Sequence, residues 1–318
     1  MTDETVPVTV DNFVRAETDT YLHGFAGLGL GVFLHRREPA PIDHQDVVRM
    51  NRDTLYSIAI VDLDAGPATV TLPETGGRFM SLQVISQAHF SRPAVYAPCT
   101  HQVTRDSVGT RYAALLVRTL VDPLDAADLA AVAVAQDAIA LTAADAGPLE
   151  LPSWDPVSLG VVRDTLKRVA PSVMKGPGHM FGTAAEVDAI KHLVGTAIGW
   201  GGNPEADATY VGAFPERNDG TTAYRLVVRD VPVDGFWSIS VYDEAGFFVA
   251  NADAAYTVNS VTATPDADGG VTVQFGGSRD GAANWIAIMP GWNYVVRLYR
   301  PRPEILDGSW KFPVAHPV

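Results

Sequence analysis

The chain is expected to fold as a mainly β protein of the α+β class, with two β-rich, sandwich-like domains joined by a helical connection. Three observations predict this. The 318 residues exceed the usual single domain of ~100–200 residues. Runs of period-two hydrophobicity punctuated by glycine, proline, asparagine and aspartate occupy both ends of the chain. Between them the composition turns to alanine and the apolar period lengthens to about 3.6. The expected division is an N-terminal β domain with an opening helix at 1–123, a helical connection at 124–208 and a C-terminal β-sandwich domain at 209–318.

In chain order, the first helix is expected from Asp11, a capping residue, to about His23. Phe13, Val14 and Tyr21 lie at helical spacing, and Glu17 and Asp19 are read as facing water. Strands are expected at 57–63, 68–72, 77–86, 102–104 and 111–120, separated by turn words such as Asp64-Ala65-Gly66-Pro67 and Glu74-Thr75-Gly76-Gly77. In the alanine-rich region Asp125 caps a helix over 126–141, and a second helix covers 158–169. A third is expected to open at Thr183-Ala184-Ala185-Glu186, a capping-box word, with Val187, Ile190, Val194, Ala197 and Ile198 forming its apolar face. Glycines 199, 201 and 202 and Pro204 stop it. Further strands are expected at 221–229, 236–242 and 247–250, with two more joined by Asp268-Gly269-Gly270.

Composition narrows the partners. With 37 acidic and 23 basic side chains the formal charge is -14, which repels nucleic acid and anionic membranes over most of the surface. A small-molecule ligand or substrate is the expected partner, with a homo-oligomer left open. Cys99 is the single cysteine, so neither an internal disulfide nor a thiolate cluster can form. The acidic start at 1–6 lacks the basic and then apolar pattern of a secretory signal, and the glycine-rich stretch 24–34 is short of the ~20 apolar residues of a spanning helix. A cytoplasmic location is expected.

Absent motifs remove the common enzyme classes. There is no Gly-x-Ser-x-Gly elbow, no phosphate-binding Gly-x-x-x-x-Gly-Lys loop and no His-Glu-x-x-His. Gly27-Leu28-Gly29-Leu30-Gly31 follows a helix rather than a strand, which argues against dinucleotide binding. Eight histidines show no His-x-His or His-x-x-x-His spacing. Neither metal nor cofactor is expected.

Candidate chemistry concentrates at Met50-Asn51-Arg52-Asp53-Thr54-Leu55-Tyr56-Ser57, where an amide, a guanidinium, a carboxylate and a phenol precede a β-forming run. The same residue types also open strands by bonding nearby backbone. Strand parity adds a second group. In 236–242, Trp237, Ile239 and Val241 share one face, and Ser238, Ser240 and Tyr242 share the other. Asn293, Val295, Arg297 and Tyr299 likewise share a face, which reads first as solvent-exposed sheet and second as a wall holding a carboxylate or carbonyl. His44 and His89 are the histidines to watch, as hydrogen-bonded structural groups or as a base. Trp200, in a glycine, asparagine and proline loop, is a pocket candidate, whereas Trp237 reads as core.

The segment 50–57 resembles the N-terminal half of a bacterial two-domain family known only as domain of unknown function twelve-fifty-four followed by twelve-fourteen. A second block, Asn284-Trp285 and Gly291-Trp292-Asn293-Tyr294 through Arg300-Pro301 to Ser309-Trp310, resembles the family's C-terminal signature. The resemblance implies two β-rich domains with a helical connection, and it implies no reaction.

The expected function is a small-molecule enzyme, a hydrolase with a cleft between the two β domains. Asp53 would position or deprotonate water, Arg52 or Arg297 would stabilise oxyanion charge, and Tyr56 would donate a proton, with His89 as a further catalytic candidate. Asn51, His44, Trp200, Tyr242, Asn293, Arg297 and Tyr299 would bind substrate. The alternative is a non-catalytic ligand-binding or assembly module in which these residues pin the structure together.

Overall fold

The computed structural model describes residues 5–45, 48–173 and 178–318, without the Leu28 side chain. Of the acidic start weighed above, residues 1–4 lie outside the described residues. Two compact units divide the chain. One comprises Met1–Arg37, Leu55–Val121 and Asp125–Glu205, and the other Glu38–Thr54, Asp122–Leu124 and Ala206–Val318. Both are β-rich, and a helical segment lies between their sheet-forming regions in sequence, as the fold class predicts. The boundaries differ from the expected three-way division. The helices of 124–208 belong to the first unit, and residues 38–54 belong to the second.

The first unit runs α1 (Phe13–Phe25), β1 (Leu34–His35), β2 (Thr54–Asp62), β3 (Ala68–Leu72), β4 (Met80–Ser86), β5 (Val95–Tyr96), β6 (Cys99–Val103), α2 (Arg105–Val108), β7 (Tyr112–Leu120), α3 (Ala126–Asp137), β8 (Ala140–Thr142), α4 (Pro156–Val173) and α5 (Ala189–Gly199). One sheet has the order β1-β2-β7-β4-β5 and a second the order β6-β3-β8. All nine residues of β7 are buried. Ala113, Leu115 and Val117 pack with Val70 and Leu72 of β3, while Tyr112, Ala114 and Leu116 pack with Ile60 of β2 and Leu22 of α1. A strand covered on both faces reads as a continuous apolar run, which is why this one carries no polar alternation.

Three elements depart from the sequence reading for identifiable reasons. The helix expected over 126–141 keeps its Asp125 cap, whose side chain accepts from Ala127 N, but it stops at Asp137. Ile139 and Leu141 both reach the core between the two sheets. Residues two apart share a face in a strand and lie on opposite sides of a helix, so β8 replaces the last turn. Thr183 spends both donors on the Glu186 carboxylate, its N–H and its hydroxyl each at 2.8 Å. That closes a turn rather than opening a helix, and α5 starts instead after Asp188, whose carboxylate accepts from Ile190 N and Lys191 N. The third departure is in α1. Glu17 and Asp19 are buried rather than facing water: Glu17 pairs with Arg163 of α4 at 2.5 Å, and Asp19 accepts from Arg15, Gln87 and Trp154.

The second unit contains β9 (Ala208–Ala213), β10 (Tyr224–Val228), β11 (Trp237–Tyr242), β12 (Thr257–Asn259), β13 (Val271–Phe275), β14 (Asn284–Ile286), β15 (Asn293–Tyr299), α6 (Pro303–Leu306) and β16 (His316–Pro317). Its sheets have the orders β14-β13-β10-β16 and β12-β11-β15-β9. Tyr224, Leu226, Val273 and Phe275 of the first meet Trp237, Ile239, Val296 and Leu298 of the second in one core, the packing of a sandwich. The strand expected at 247–250 does not form. Asp243 closes a turn there, its N–H donating to Phe247 O at 2.9 Å and its carboxylate accepting from Phe247 N at 2.8 Å. No helix of the described residues is long and apolar enough to cross a membrane.

Candidate functional site

The polar face of β11 and β15 has the alternation that parity predicts. Ser238 lies opposite Arg297, Ser240 opposite Val295 and Tyr242 opposite Asn293, and β12 adds Asn259 beside Ser238 and Thr257 beside Ser240. The face is not exposed sheet: Ser238 and Ser240 are fully buried, and Arg297 keeps 3 % of its surface. Residues of 38–54, part of the same unit, lie against it.

Arg297 supplies the reason. Its Nη1 donates to Ser240 Oγ at 2.9 Å, and its Nη2 faces the Tyr242 hydroxyl at 2.6 Å and the main-chain oxygens of Arg49 at 2.8 Å and Met50 at 3.2 Å. Tyr242 donates its own proton to Met50 O at 2.7 Å. The segment 49–53 has no strand partner, so its carbonyls need side-chain donors, and these two residues provide them. Burial works against the Arg297 charge, yet Tyr242, Tyr299 and Asp53 outweigh it and hold its pKa above the ordinary value. Burial raises that of Tyr242, so the phenol stays protonated. Asn51 completes the clasp by donating to Thr54 Oγ1 at 3.0 Å and to the Tyr299 hydroxyl at 2.9 Å. Asn293 donates to Asp243 O and accepts from Arg49.

Asp53 is fully buried. Its Oδ1 accepts from Thr257 Oγ1 at 3.0 Å and Asn259 Nδ2 at 3.2 Å. Rather than pairing with it, Arg52 donates to Ala40 O and lies 5.4 Å from the centre of the Tyr256 ring. Burial lowers the Arg52 pKa, opposed by Tyr256 and Asp53. Asp53 Oδ2, Arg52 Nε and Ser238 Oγ are buried without a hydrogen-bond partner among the described residues. His44 is exposed in the same unit.

The remaining sequence candidates lie in the first unit. Tyr56 of β2 sits under the Arg118 guanidinium at 5.5 Å. His89, at φ +59°, occupies a tight turn in which its N–H donates to Ser86 O at 2.9 Å. Its Nε2 accepts from Gly201 N at 2.9 Å, so the proton is on Nδ1 and is donated to Thr196 Oγ1 at 2.8 Å. Burial and the neighbouring His192 push its pKa down to about 3. With both nitrogens committed, the imidazole has no lone pair for a substrate proton. Trp200 donates to Thr18 Oγ1 at 3.1 Å and stacks on Tyr21 at 4.4 Å, so the loop tryptophan is pinned to α1.

Sequence reasoning missed a cavity of about 230 Å³ in the first unit. Its apolar lining includes Leu82 and Val84 of β4, Phe90, Val95 of β5, Val103 of β6 and Val108 of α2, and Arg92, His101 and Asp106 also line it. Arg92 Nε donates to Ser107 O at 2.9 Å. Burial, then the Arg92 charge, lowers the His101 pKa, so the ring is neutral at pH 7. One signal was available: in β6, His101 and Val103 fall on the inward parity, while Thr100 and Gln102 are exposed. Among the described residues, no three of His, Cys, Asp and Glu gather as metal ligands.

Two family models match the chain in order, a protein of unknown function (DUF1254) over residues 30–92 and a protein of unknown function (DUF1214) over 208–303. The chain belongs to this two-domain family. No curated protein matches it. Its fold is similar to the crystal structure of a Vibrio parahaemolyticus protein, with TM-score 0.72 and 16% identity over 97% of each chain. An uncharacterized Burkholderia cenocepacia protein is similar at TM-score 0.56 and 17% identity, over 96% of this chain and 86% of that one. The DUF1254 match spans both units, since residues 38–54 belong to the second and 55–92 to the first.

Proposed function

We propose that this chain is a small-molecule-binding protein whose ligand seat is the first unit's cavity, and that residues 49–53 serve architecture rather than catalysis. The observation that carries the reading is the contrast in commitment. Arg297, Tyr242 and Asn51 are engaged with the chain's own groups, whereas the cavity lining joins apolar side chains to a few polar and charged ones, the usual makeup of a ligand site. The single cysteine fits a reducing, cytoplasmic setting.

The test is a screen of small apolar acids, amides, alcohols and amines by ligand-observed NMR, repeated on Val84→Trp, which fills the floor. Binding that disappears in the filled variant supports the reading. Binding that survives it, or no binding across the panel, overturns it.

A second reading, hydrolysis at Asp53, is favoured by one observation. A buried carboxylate oxygen without a donor is energetically unfavourable unless something supplies one. Turnover of model esters or amides that is lost in Asp53→Asn, with unfolding unchanged, would support it. An inactive wild-type protein would remove it.

A further inference from the structure

The cavity also states what kind of ligand it suits, an inference that rests on the binding reading above. Arg92 is held at one point only. Its Nε bond to Ser107 O fixes the guanidinium against α2, and among the described residues Nη1 and Nη2 have no acceptor. A guanidinium anchored through Nε presents the remaining edge as a fork that matches a carboxylate. His101 lines the same cavity with no ring-nitrogen partner among the described residues, and as a neutral imidazole it adds a hydrogen bond without a second charge.

Two further features narrow the class. Asp106, also lining the cavity, has no hydrogen-bond or ion-pair partner among the described residues, and its carboxylate weighs against a second negative charge on the ligand. Leu82, Val84, Val95, Val103 and Val108 give the lining an apolar share, beside Ser86, Ser91, Ser107 and Thr183. The volume of about 230 Å³ suits a small organic body.

We propose that the cavity binds a small monocarboxylate with an apolar body, its carboxylate on the Arg92 fork beside His101 and its body over Leu82 and Val103. The acid is recognised by the fork, and the apolar side chains favour an apolar body.

The experiment titrates the full chain at pH 7.5 with hexanoate, hexanamide and hexylamine, compounds that share a carbon skeleton and differ in head group. Wild type, Arg92→Gln and Val84→Trp are compared, with Val95→Trp replacing the last if it fails to fold. Hexanoate should bind about tenfold or more tightly than hexanamide. Arg92→Gln should remove about that factor for hexanoate and shift hexanamide less than about twofold. Amide or amine binding as tightly as the acid, yet abolished by the filling variant, would overturn the carboxylate class and leave the cavity reading standing. If none of the three binds, or the filling variant changes nothing, the cavity reading falls and the inference falls with it.

Discussion

Arg297 and Arg92 carry the same guanidinium in opposite circumstances. In the second unit, Arg297 is buried and its Nη1 and Nη2 face two main-chain carbonyls, a phenol and a serine hydroxyl. In the first unit, Arg92 is exposed and bonded through Nε alone. Two histidines repeat the contrast: His89 has both ring nitrogens engaged, and His101 lines a cavity. The difference shows that a dense cluster of polar residues is poor evidence for a reactive site when its members answer one another, because a satisfied buried charge fixes geometry. A charge fixed at one atom and unanswered at the others is the better ligand group.

The contrast can be broken most directly at Arg297. Arg297→Leu leaves two carbonyls and two hydroxyls short of their donor, and urea unfolding should show a loss of about 4 kcal/mol with no change in hexanoate affinity of whatever folds. A stable variant would mean that the clasp is dispensable. Acid should weaken the sealed histidine next. Because His89 titrates near 3 in the folded state and at about 6.5 unfolded, its contribution is fully present above pH 6.5 and is lost as pH falls toward 3. Between pH 7 and 4 the wild type should lose roughly 3 kcal/mol more stability than His89→Gln. Equal acid sensitivity in the two proteins would count against the sealed, neutral ring.

Asp53→Asn should have a smaller effect. The amide oxygen can still accept from Thr257 and Asn259, but the negative charge that helps hold the Arg297 charge is gone, so a loss of about 2 kcal/mol is expected in the same unfolding assay. An unchanged midpoint would revive the catalytic role. Smallest of all is the stability effect of Arg92→Gln, under ~0.5 kcal/mol as for an exposed side chain. A large loss would make Arg92 a structural residue and erase the contrast.

Local physics was legible in the sequence. Period-two parity on 236–242 and 293–299 assigned each side chain to the correct face, since alternation is a property of the strand itself. Asp125 was readable as a cap because its partner, Ala127 N, is two residues away. What covers a face was not readable. Arg297 meets residues some 248 positions earlier in the chain, so the face looked exposed. Asp19 looked solvated because its partners Gln87 and Trp154 come from separate segments. The cavity stayed hidden for a similar reason: Arg92, His101 and Asp106 belong to three short segments, and none forms a recognisable motif.

The placement of residues 38–54 in the second unit bears on how the protein is made. The Arg49 carbonyl leaves the ribosome 248 residues ahead of the guanidinium that answers it, an interval of ~12–50 s at ~5–20 residues per second. Tyr242 of β11 follows Met50 by 192 residues, and Thr257 and Asn259 of β12 follow Asp53 by 204 and 206, so for most of that time the segment has none of these partners. The sandwich therefore closes late, by a long-range step of the kind that slows folding, and a nascent chain halted before β15 would expose this segment to chaperones or proteases.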